Sequence, residues 1–553
     1  MNVQQKYQLW LNNVTDGELK SELLSMQSDD VKRENAFFKN LEFGTGGLRG
    51  ILGVGTNCLN VYTIGKITQG IANYMNTNAL KSVVISYDSR IKSDLFAKRT
   101  ANVFASNGIF AYITQELMPT PFLSFATRRL NAQIGIMITA SHNPSKYNGY
   151  KVYGSDGCQI TEEAVKQILP EIESVDEFSV TGGDFDSLLN DGKIAYVPEN
   201  LTQEFLGEIM ALSNGSCEGL NVTYSALNGA GYKLVPKALE MAGLSRLNLV
   251  TEQSYPDGNF TTCPFPNPEK QEALALGIEY AKKNGSDLLL ATDPDCDRVG
   301  VAVRHNGEYV LLSGNEVGVL LTEYLFNALS SANKLPKNPI VVKTIVTTDL
   351  VKKLAEDYGF SVVEVLTGFK YIGEVISNLE KKGEKNRFVL GFEESYGYLS
   401  GSHVRDKDGV NGSLIITEMT AFYKKQGLTL VDKIQQLYKK YGLYEHKLIS
   451  FTFEGASGNQ EMKKRLKLLR ESLPKQILGV PVKKCIDYST QSEFDLPKAN
   501  VLSFEMTDGS KIIIRPSGTE PLIKAYLTVC FDSQENQKRI NEYKEYLNSL
   551  FLY

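Results

Sequence analysis

Short apolar runs rich in Val, Ile and Leu, each ending abruptly in Gly, Pro, Asn, Asp or Ser, recur through the first three quarters of this chain. Such runs read as buried parallel strands and the loops that leave them. The clearest are 82–87 before Asp88-Ser89-Arg90, 134–138 before Thr139-Ala140-Ser141, and 287–290 before Ala291-Thr292-Asp293. Others are 220–224 before Asn228-Gly229, 340–342 before Thr347-Thr348-Asp349, and 388–390 before Gly391-Phe392-Glu393. Between them lie helix-length stretches with apolar residues three and four apart, at 162–169, 234–242 and 316–329. The alternation predicts α/β units, in which ligands sit beyond the carboxyl ends of the strands. The tail departs from this plan: 448–453, 501–506 and 511–514 read as strands, with a charged helix near 461–473. A smaller α+β domain is therefore expected to close the chain. At 553 residues one core cannot serve the whole chain, and roughly three to five domains are expected.

The strongest chemical signal at a strand exit is Asp293-Pro294-Asp295-Cys296-Asp297-Arg298. If the segment is extended, its alternate carboxylates project to one side. Two unit charges 4 Å apart repel by about 4 kcal/mol at an effective dielectric near ~20, so three such acids call for a cation or a proton. A hard divalent ion satisfies them; an exposed acidic loop is the bland alternative. An EF-hand would need Gly at the sixth position and Glu at the twelfth, where this loop has Arg298 and Arg304. A phosphatase with an aspartyl nucleophile of D-x-D-x-T type would want Thr in place of Asp297. The acids read as ligands rather than nucleophiles.

Thr139-Ala140-Ser141-His142-Asn143-Pro144 sets a serine on a tight strand exit, with small neighbours and an Asn-Pro turn after it. It lacks the G-x-S-x-G pattern of a hydrolase elbow, which leaves a phosphate acceptor or a serine that merely stabilises its turn. Arg515-Pro516-Ser517-Gly518-Thr519-Glu520-Pro521 joins a guanidinium, two hydroxyls and a glycine, a set able to wrap a phosphate. Gly44-Thr45-Gly46-Gly47-Leu48-Arg49-Gly50 lacks the Gly-Lys-Ser/Thr ending of a nucleotide loop, and Arg49 is its informative residue. Gly368-Phe369-Lys370 and Gly391-Phe392-Glu393-Glu394-Ser395 offer a cation and a carboxylate-hydroxyl set suited to sugar hydroxyls. Lys151 could act as a base only if nearby positive charge depresses its pKa. Of four histidines, only His142, next to Ser141, has a setting that suggests chemistry.

Composition narrows the partners. A formal net charge of -5 without long Lys/Arg runs argues against nucleic acid and against a polybasic membrane patch. No apolar stretch reaches the roughly 20 residues of a membrane helix, and the first 24 residues are too interrupted by charge for a signal peptide. Seven scattered cysteines without a C-x-x-C pair fit a reducing compartment. A cytoplasmic location is expected.

Together, T-A-S-H-N-P, D-P-D-x-D-R, G-F-E-E-S and R-P-S-G-T-E-P appear in the order and at the broad intervals of the α-D-phosphohexomutase superfamily, and the set resembles its phosphoglucomutase branch. The resemblance covers most of the chain. It implies three α/β domains with mixed sheets around a central cleft, at 1–205, 206–318 and 319–446, and a smaller α+β domain at 447–553. It further implies that Ser141 is a phosphoserine whose phosphate completes a site for one Mg2+ with Asp293, Asp295 and Asp297. Arg49, His142 and Lys151 would surround the transferring group, with Lys151 a candidate base. Lys370, Glu393, Ser395 and Arg298 would hold the sugar phosphate, and Arg515, Ser517, Gly518 and Thr519 its distal phosphate. Gly46 stands where relatives often carry Ala or Ser. The implied reaction interconverts glucose 1-phosphate and glucose 6-phosphate through glucose 1,6-bisphosphate. A phosphopentomutase, a phosphomannomutase, a metal-dependent phosphatase or a noncatalytic sugar-phosphate binder are the alternatives.

Overall fold

A computed structural model of the protein describes residues 1–44, 46–453, 455–490, 496–517 and 522–552. Among the described residues the strands form four sheets. The first holds β1 (Leu48–Ile51), β2 (Ser82–Tyr87), β3 (Phe110–Ile113), β4 (Ile134–Ile138), β5 (Tyr147–Gly154) and β6 (Ile194–Tyr196), in the order β1-β5-β4-β2-β3-β6. The second holds β7 (Asn221–Ser225), β8 (Arg246–Leu249), β9 (Leu288–Thr292), β10 (Val299–His305) and β11 (Glu308–Leu312), in the order β11-β10-β9-β7-β8. The third orders β12 (Ile340–Thr344), β13 (Ser361–Val365), β14 (Phe388–Glu393) and β15 (Gly397–Ser400) as β13-β12-β14-β15.

These sheets share one device. A parallel set, β4-β2-β3-β6, β9-β7-β8 or β13-β12-β14, gains an antiparallel neighbour when the chain leaving one strand turns straight back. The returns are β4 to β5, β9 to β10 and β14 to β15. The parallel strands are apolar because helices cover them on both faces; β4, β9 and β12 are buried along their whole length.

The fourth sheet is antiparallel throughout, joining β16 (Glu445–Thr452), β17 (Gln476–Ile477), β18 (Val480–Asp487), β19 (Leu502–Met506), β20 (Lys511–Pro516) and β21 (Leu522–Val529) as β16-β21-β20-β19-β18-β17. The helices Gly455–Glu471 and Ser533–Phe551 accompany it, and with them it has a core of its own, including Phe451, Phe504, Ile512, Ile514, Leu527 and Tyr543.

One apolar cluster runs from Phe122 and Tyr153 near the first sheet, through Val222 and Val299 in the second, to Val341 and Phe392 in the third. The three α/β units are thus packed into one body. The C-terminal unit meets it through a smaller cluster that includes Ile345, Val346, Leu366, Tyr488 and Ile513. The expected class, three α/β units with mixed sheets and a smaller α+β unit, is the one found.

The expected boundaries fall within elements. The first falls inside the helix Asn200–Ala211, the second inside the helix Gly314–Ser331, and the third within β16. Hydrophobic periodicity marks an element's interior but not where one packing unit ends. Among the described residues no helix is long and apolar enough to cross a membrane, and the seven cysteines are unpaired.

Candidate active site

The three returns carry the three motifs. Each places a non-glycine residue in the left-handed region: Ser141 at φ 53°, Cys296 at φ 52° and Tyr396 at φ 66°. Such conformations cost of order 1–3 kcal/mol and persist only where surroundings hold them. Ser141 is held from both sides. Its N–H donates to Thr139 Oγ1 at 2.8 Å, and Thr139 Oγ1 donates to buried Asp88 at 2.6 Å. Arg49, on β1, donates to Asn143 Oδ1 at 3.0 Å, so the glycine-rich segment is more than a turn: it leads into a strand bracing the serine loop. Ser141 Oγ lies 3.2 Å from His142 Nδ1 and donates to Asp293 Oδ2 at 2.9 Å. Burial, with Arg298 and Arg49 nearby, holds the His142 imidazole well below its ordinary value.

Asp293, Asp295 and Asp297 are buried, and each brings a carboxylate oxygen within 4.8 Å of the other two. The expected cause was different. The segment is a turn rather than an extended run, and the carboxylates converge because the chain reverses over residues 294–296. Asp293 Oδ1 accepts from the N–H groups of Asp297 and Arg298, each at 3.0 Å. Asp295 Oδ2 accepts from Thr120 Oγ1 at 2.8 Å and Lys151 Nζ at 2.7 Å. Burial, together with the charges of Asp297 and Asp295, lifts the Asp293 carboxyl well above its usual range. Asp295 is held low: burial opposes its charge, but the Lys151 ammonium outweighs it.

Asp295 Oδ1 and Asp297 Oδ1 are buried and accept no hydrogen bond among the described residues. Three converging carboxylates, two of them with an unpartnered buried oxygen, fit a hard divalent cation.

Lys151 does not meet the condition for a base. Burial lowers its pKa, but Asp295 at 2.7 Å and Asp297 at 3.4 Å raise it by more, so it is held as an ammonium. Lys407, outside the motifs that stand out in the sequence, is a second buried cation, 3.2 Å from Asp297 and 3.3 Å from Asp406. Its ammonium is stabilised against burial by Asp297, Asp406 and Glu393.

Beside this centre opens a cleft of about 540 Å³, lined by His142, Arg298, Glu393, Ser395, Lys407 and Arg515 among others. Each of the four units contributes to it. Glu393 accepts from the N–H of Gly368 at 3.0 Å; burial lifts its carboxyl to about 7, with Lys407 opposing. Arg298 pairs with Glu269, which also lines the cleft. On β20 and β21, Arg515 and Lys524 sit directly opposite each other and both face the cleft, an arrangement of like charges that favours an anion between them.

Ser517, just after β20, donates its N–H to the carbonyl of Leu522 at the start of β21, at 2.8 Å. Gly518 and Thr519 lie outside the described residues. Lys370 is not among the cleft-lining residues: it is in the first turn of the helix Phe369–Lys381, with its ammonium 4.8 Å from the Tyr371 ring centroid. His446 does line the cleft, its Nδ1 3.0 Å from Thr528 Oγ1 and its ring pushed down to about 4 by burial.

Family models described as phosphoglucomutase/phosphomannomutase alpha/beta/alpha domains I, II and III match residues 40–179, 202–307 and 313–441. The chain belongs to the phosphoglucomutase/phosphomannomutase family. Within this part of the α-D-phosphohexomutase superfamily it sits in the phosphoglucomutase branch. A phosphoglucomutase of Staphylococcus aureus strain MRSA252 is 36% identical over 552 residues, covering 97% of each chain. One from strain USA300 is 36% identical over 553 residues, again covering 97% of each.

Two solved structures share the fold. A putative phosphomannomutase from Thermus thermophilus has a TM-score of 0.67 at 23% identity, covering 91% of this chain and 99% of that one. Parafusin, a Paramecium phosphoglucomutase in its open form, has a TM-score of 0.69 at 19% identity, covering 93% and 96%.

This member of the phosphoglucomutase/phosphomannomutase family is accordingly an enzyme of the phosphate-transferring isomerase class. The family implies a metal cofactor, for which the buried aspartates are the candidate ligands. Lys407 could have been suspected from Arg405-Asp406-Lys407-Asp408, four charges in succession ahead of a helix. Lys524 and His446 left no comparable signal, because nothing local reports that a strand residue faces a cleft.

Proposed function

We propose that this chain is a phosphoglucomutase, interconverting glucose 1-phosphate and glucose 6-phosphate, with Ser141 carrying a phosphate between turnovers. The observation that carries the reading is the 2.9 Å contact of Ser141 Oγ with Asp293 Oδ2, which joins a serine from one sheet to a buried triad from another. The 36% identity to phosphoglucomutases over 97% of the chain supports the choice of sugar.

In the forward direction the free 6-hydroxyl of glucose 1-phosphate attacks the phosphorus held on Ser141. The new bond is from phosphorus to O6; the bond broken is from phosphorus to Oγ. The proton that leaves the sugar hydroxyl ends on Ser141 Oγ, where His142, with Nδ1 3.2 Å from that oxygen, is placed to deliver it. The resulting glucose 1,6-bisphosphate turns around, its 1-phosphate is returned to Ser141, and glucose 6-phosphate leaves.

Phosphoryl transfer depends chiefly on alignment and neutralisation of charge. The chemistry that a Mg2+ bound by Asp293, Asp295, Asp297 and the Ser141 phosphate supplies is neutralisation of the transferring phosphoryl oxygens. Lys151, Lys407, Arg49 and Arg298 would add fixed positive charge around it. Glu393 and Ser395 would hold sugar hydroxyls while Arg515, Lys524 and Ser517 hold the distal phosphate.

Intact-mass measurement of wild type and Ser141→Ala, with a mutase assay, tests the reading. One phosphate on the wild type, none on the variant and loss of turnover in the variant are expected. Persistent activity in Ser141→Ala, or inorganic phosphate as the main product, would overturn it. Rates on glucose, mannose and ribose 1-phosphates test the sugar, with negligible turnover of the glucose ester as the refuting result.

A further inference from the structure

Beneath the serine loop lies a charged group that the proposed chemistry does not use. Arg90 follows β2, and its side chain is wholly buried. Its Nη1 donates to the carbonyls of Pro144 and Tyr147, each at 3.0 Å, and its Nη2 to the carbonyls of Ser141 and Asn143. Four carbonyl oxygens of the segment 141–147 therefore converge on one guanidinium, and the loop is wound around it. A convergence of carbonyl dipoles is unfavourable without a cation, and the rigid fork of guanidinium N–H groups can serve four acceptors where a lysine ammonium offers three donors.

Asp88 closes the arrangement. Its Oδ2 is 3.3 Å from Arg90 Nε and accepts from Thr139 Oγ1, while its Oδ1 accepts from the Arg90 N–H at 3.0 Å and Ser93 Oγ at 2.9 Å. Thr139 in turn accepts from the Ser141 N–H. The carbonyl and the N–H of Ser141 are thus both tied to the Arg90–Asp88 pair, which can sustain the left-handed backbone at this residue.

The other side of Arg90 belongs to a different unit. The ring of buried Phe260 lies 5.0 Å from the guanidinium carbon. At Gly258 the approach is so close that a Cβ would come within 2.6 Å of the Ile91 backbone nitrogen. The segment after β8, in the unit that carries the metal loop, therefore packs directly on the element that shapes the serine loop.

We infer that Arg90 is a positioning residue of the mutase reaction. It fixes the Ser141 backbone in the conformation that brings Oγ to Asp293, and it locks the serine loop to the unit that carries the aspartates. The inference rests on Ser141 being the phosphate carrier. Arg90 does not line the cleft, so its effect should fall on the transfer step rather than on sugar-phosphate binding.

The test compares wild type with Arg90→Lys, using kcat and KM for glucose 1-phosphate, the melting temperature, and the phosphate on Ser141 after incubation with glucose 1,6-bisphosphate. Misplacing a reacting atom by an ångström costs on the order of 10²-fold in rate, so a fall of about that size in kcat is expected, with KM within about threefold of wild type. Phosphate should also load more slowly onto Ser141. Should Arg90→Lys fail to fold, Asp88→Asn, which keeps the arginine but removes its counter-charge and turns one of the two accepting oxygens into a donor, is expected to lower kcat by about tenfold at unchanged KM.

A folded Arg90→Lys with kcat within about twofold of wild type, or a rise in KM at unchanged kcat, overturns the proposal. An unchanged kcat in Asp88→Asn does the same where the lysine variant cannot be read. A wild type that never carries phosphate on Ser141 overturns the functional reading itself, and that result is seen before any variant is compared.

Discussion

Glu393 is 4% exposed, and burial lifts its carboxyl from an unfolded value near 4.5 to about 7. Between those two values the folded protein binds more protons than the unfolded chain, so this group makes stability fall as pH rises through the window, by up to roughly 3 kcal/mol. Glu393→Gln carries no charge to bury. Its melting temperature at pH 8 should match or exceed that of wild type, and its fall between pH 5 and pH 8 should be smaller, while kcat/KM drops by about tenfold or more through the lost carboxylate. Thermal melts at the two pH values and one kinetic series check this. The aspartates behave differently, because their repulsion is relieved by a ligand. Chelation should abolish activity and lower the melting temperature, and Mg2+ should restore both; an ion at 100 times its Kd stabilises by about 2.7 kcal/mol.

At the scale of elements, the notable feature is the strand that returns antiparallel to the one before it, used in all three α/β sheets. Each return reverses the chain within three to eight residues and so presents a left-handed backbone and a cluster of polar groups at one sheet end. Neighbouring loops hold these turns in place. Ala230 donates its N–H to Pro294 at 2.8 Å, and a Cβ at Gly229 would meet the Pro294 Cα at 2.5 Å. Gly229→Ala must therefore push the aspartate turn away from β7. The expected cost is about 1–3 kcal/mol, as for other overpacked sites, with weaker affinity for the divalent ion. Thermal melts across a Mg2+ titration measure both effects, and an unchanged metal midpoint would count against the turn being seated on Gly229.

For the whole molecule, the continuous apolar cluster makes one body of the three α/β units, while the C-terminal unit keeps its own core and touches that body through a smaller patch. Strand β20 spans both: Ile512 and Ile514 enter the C-terminal core, whereas Ile513, on the opposite face, packs into the patch with Ile345, Val346 and Leu366. Arg515 is two residues further along the same strand. Ile513→Ala removes about 2–4 kcal/mol of packing from this contact. It should raise KM for the sugar phosphate several-fold more than it lowers kcat, because the distal clamp is seated less firmly while the serine and aspartate loops are untouched. Steady-state kinetics on glucose 1-phosphate read the split; equal effects on both constants would argue against it.

Much of this protein was legible before folding. Strands such as β2 and β4 coincide with apolar runs bounded by turn residues, since burial on both faces leaves a purely local signature. Ser141 and the three aspartates stood out for the same reason: each follows such a run. Other features depended on partners far away in sequence. Lys151 is an ammonium because Asp295, 144 residues away, sits against it. Arg90 matters because a loop some fifty residues on wraps around it, and Lys407, Lys524 and His446 because strands and loops from separate units turn them to one cleft. Lys370 read as a site residue from its motif but is not among the residues that line the cleft; its ammonium lies against the Tyr371 ring. The sequence by itself determined the strands, their exits and the residue types waiting there, because these follow from local polarity. Only the tertiary structure decided which strands return, which charges meet and which are buried, because electrostatic energy depends on distance in space.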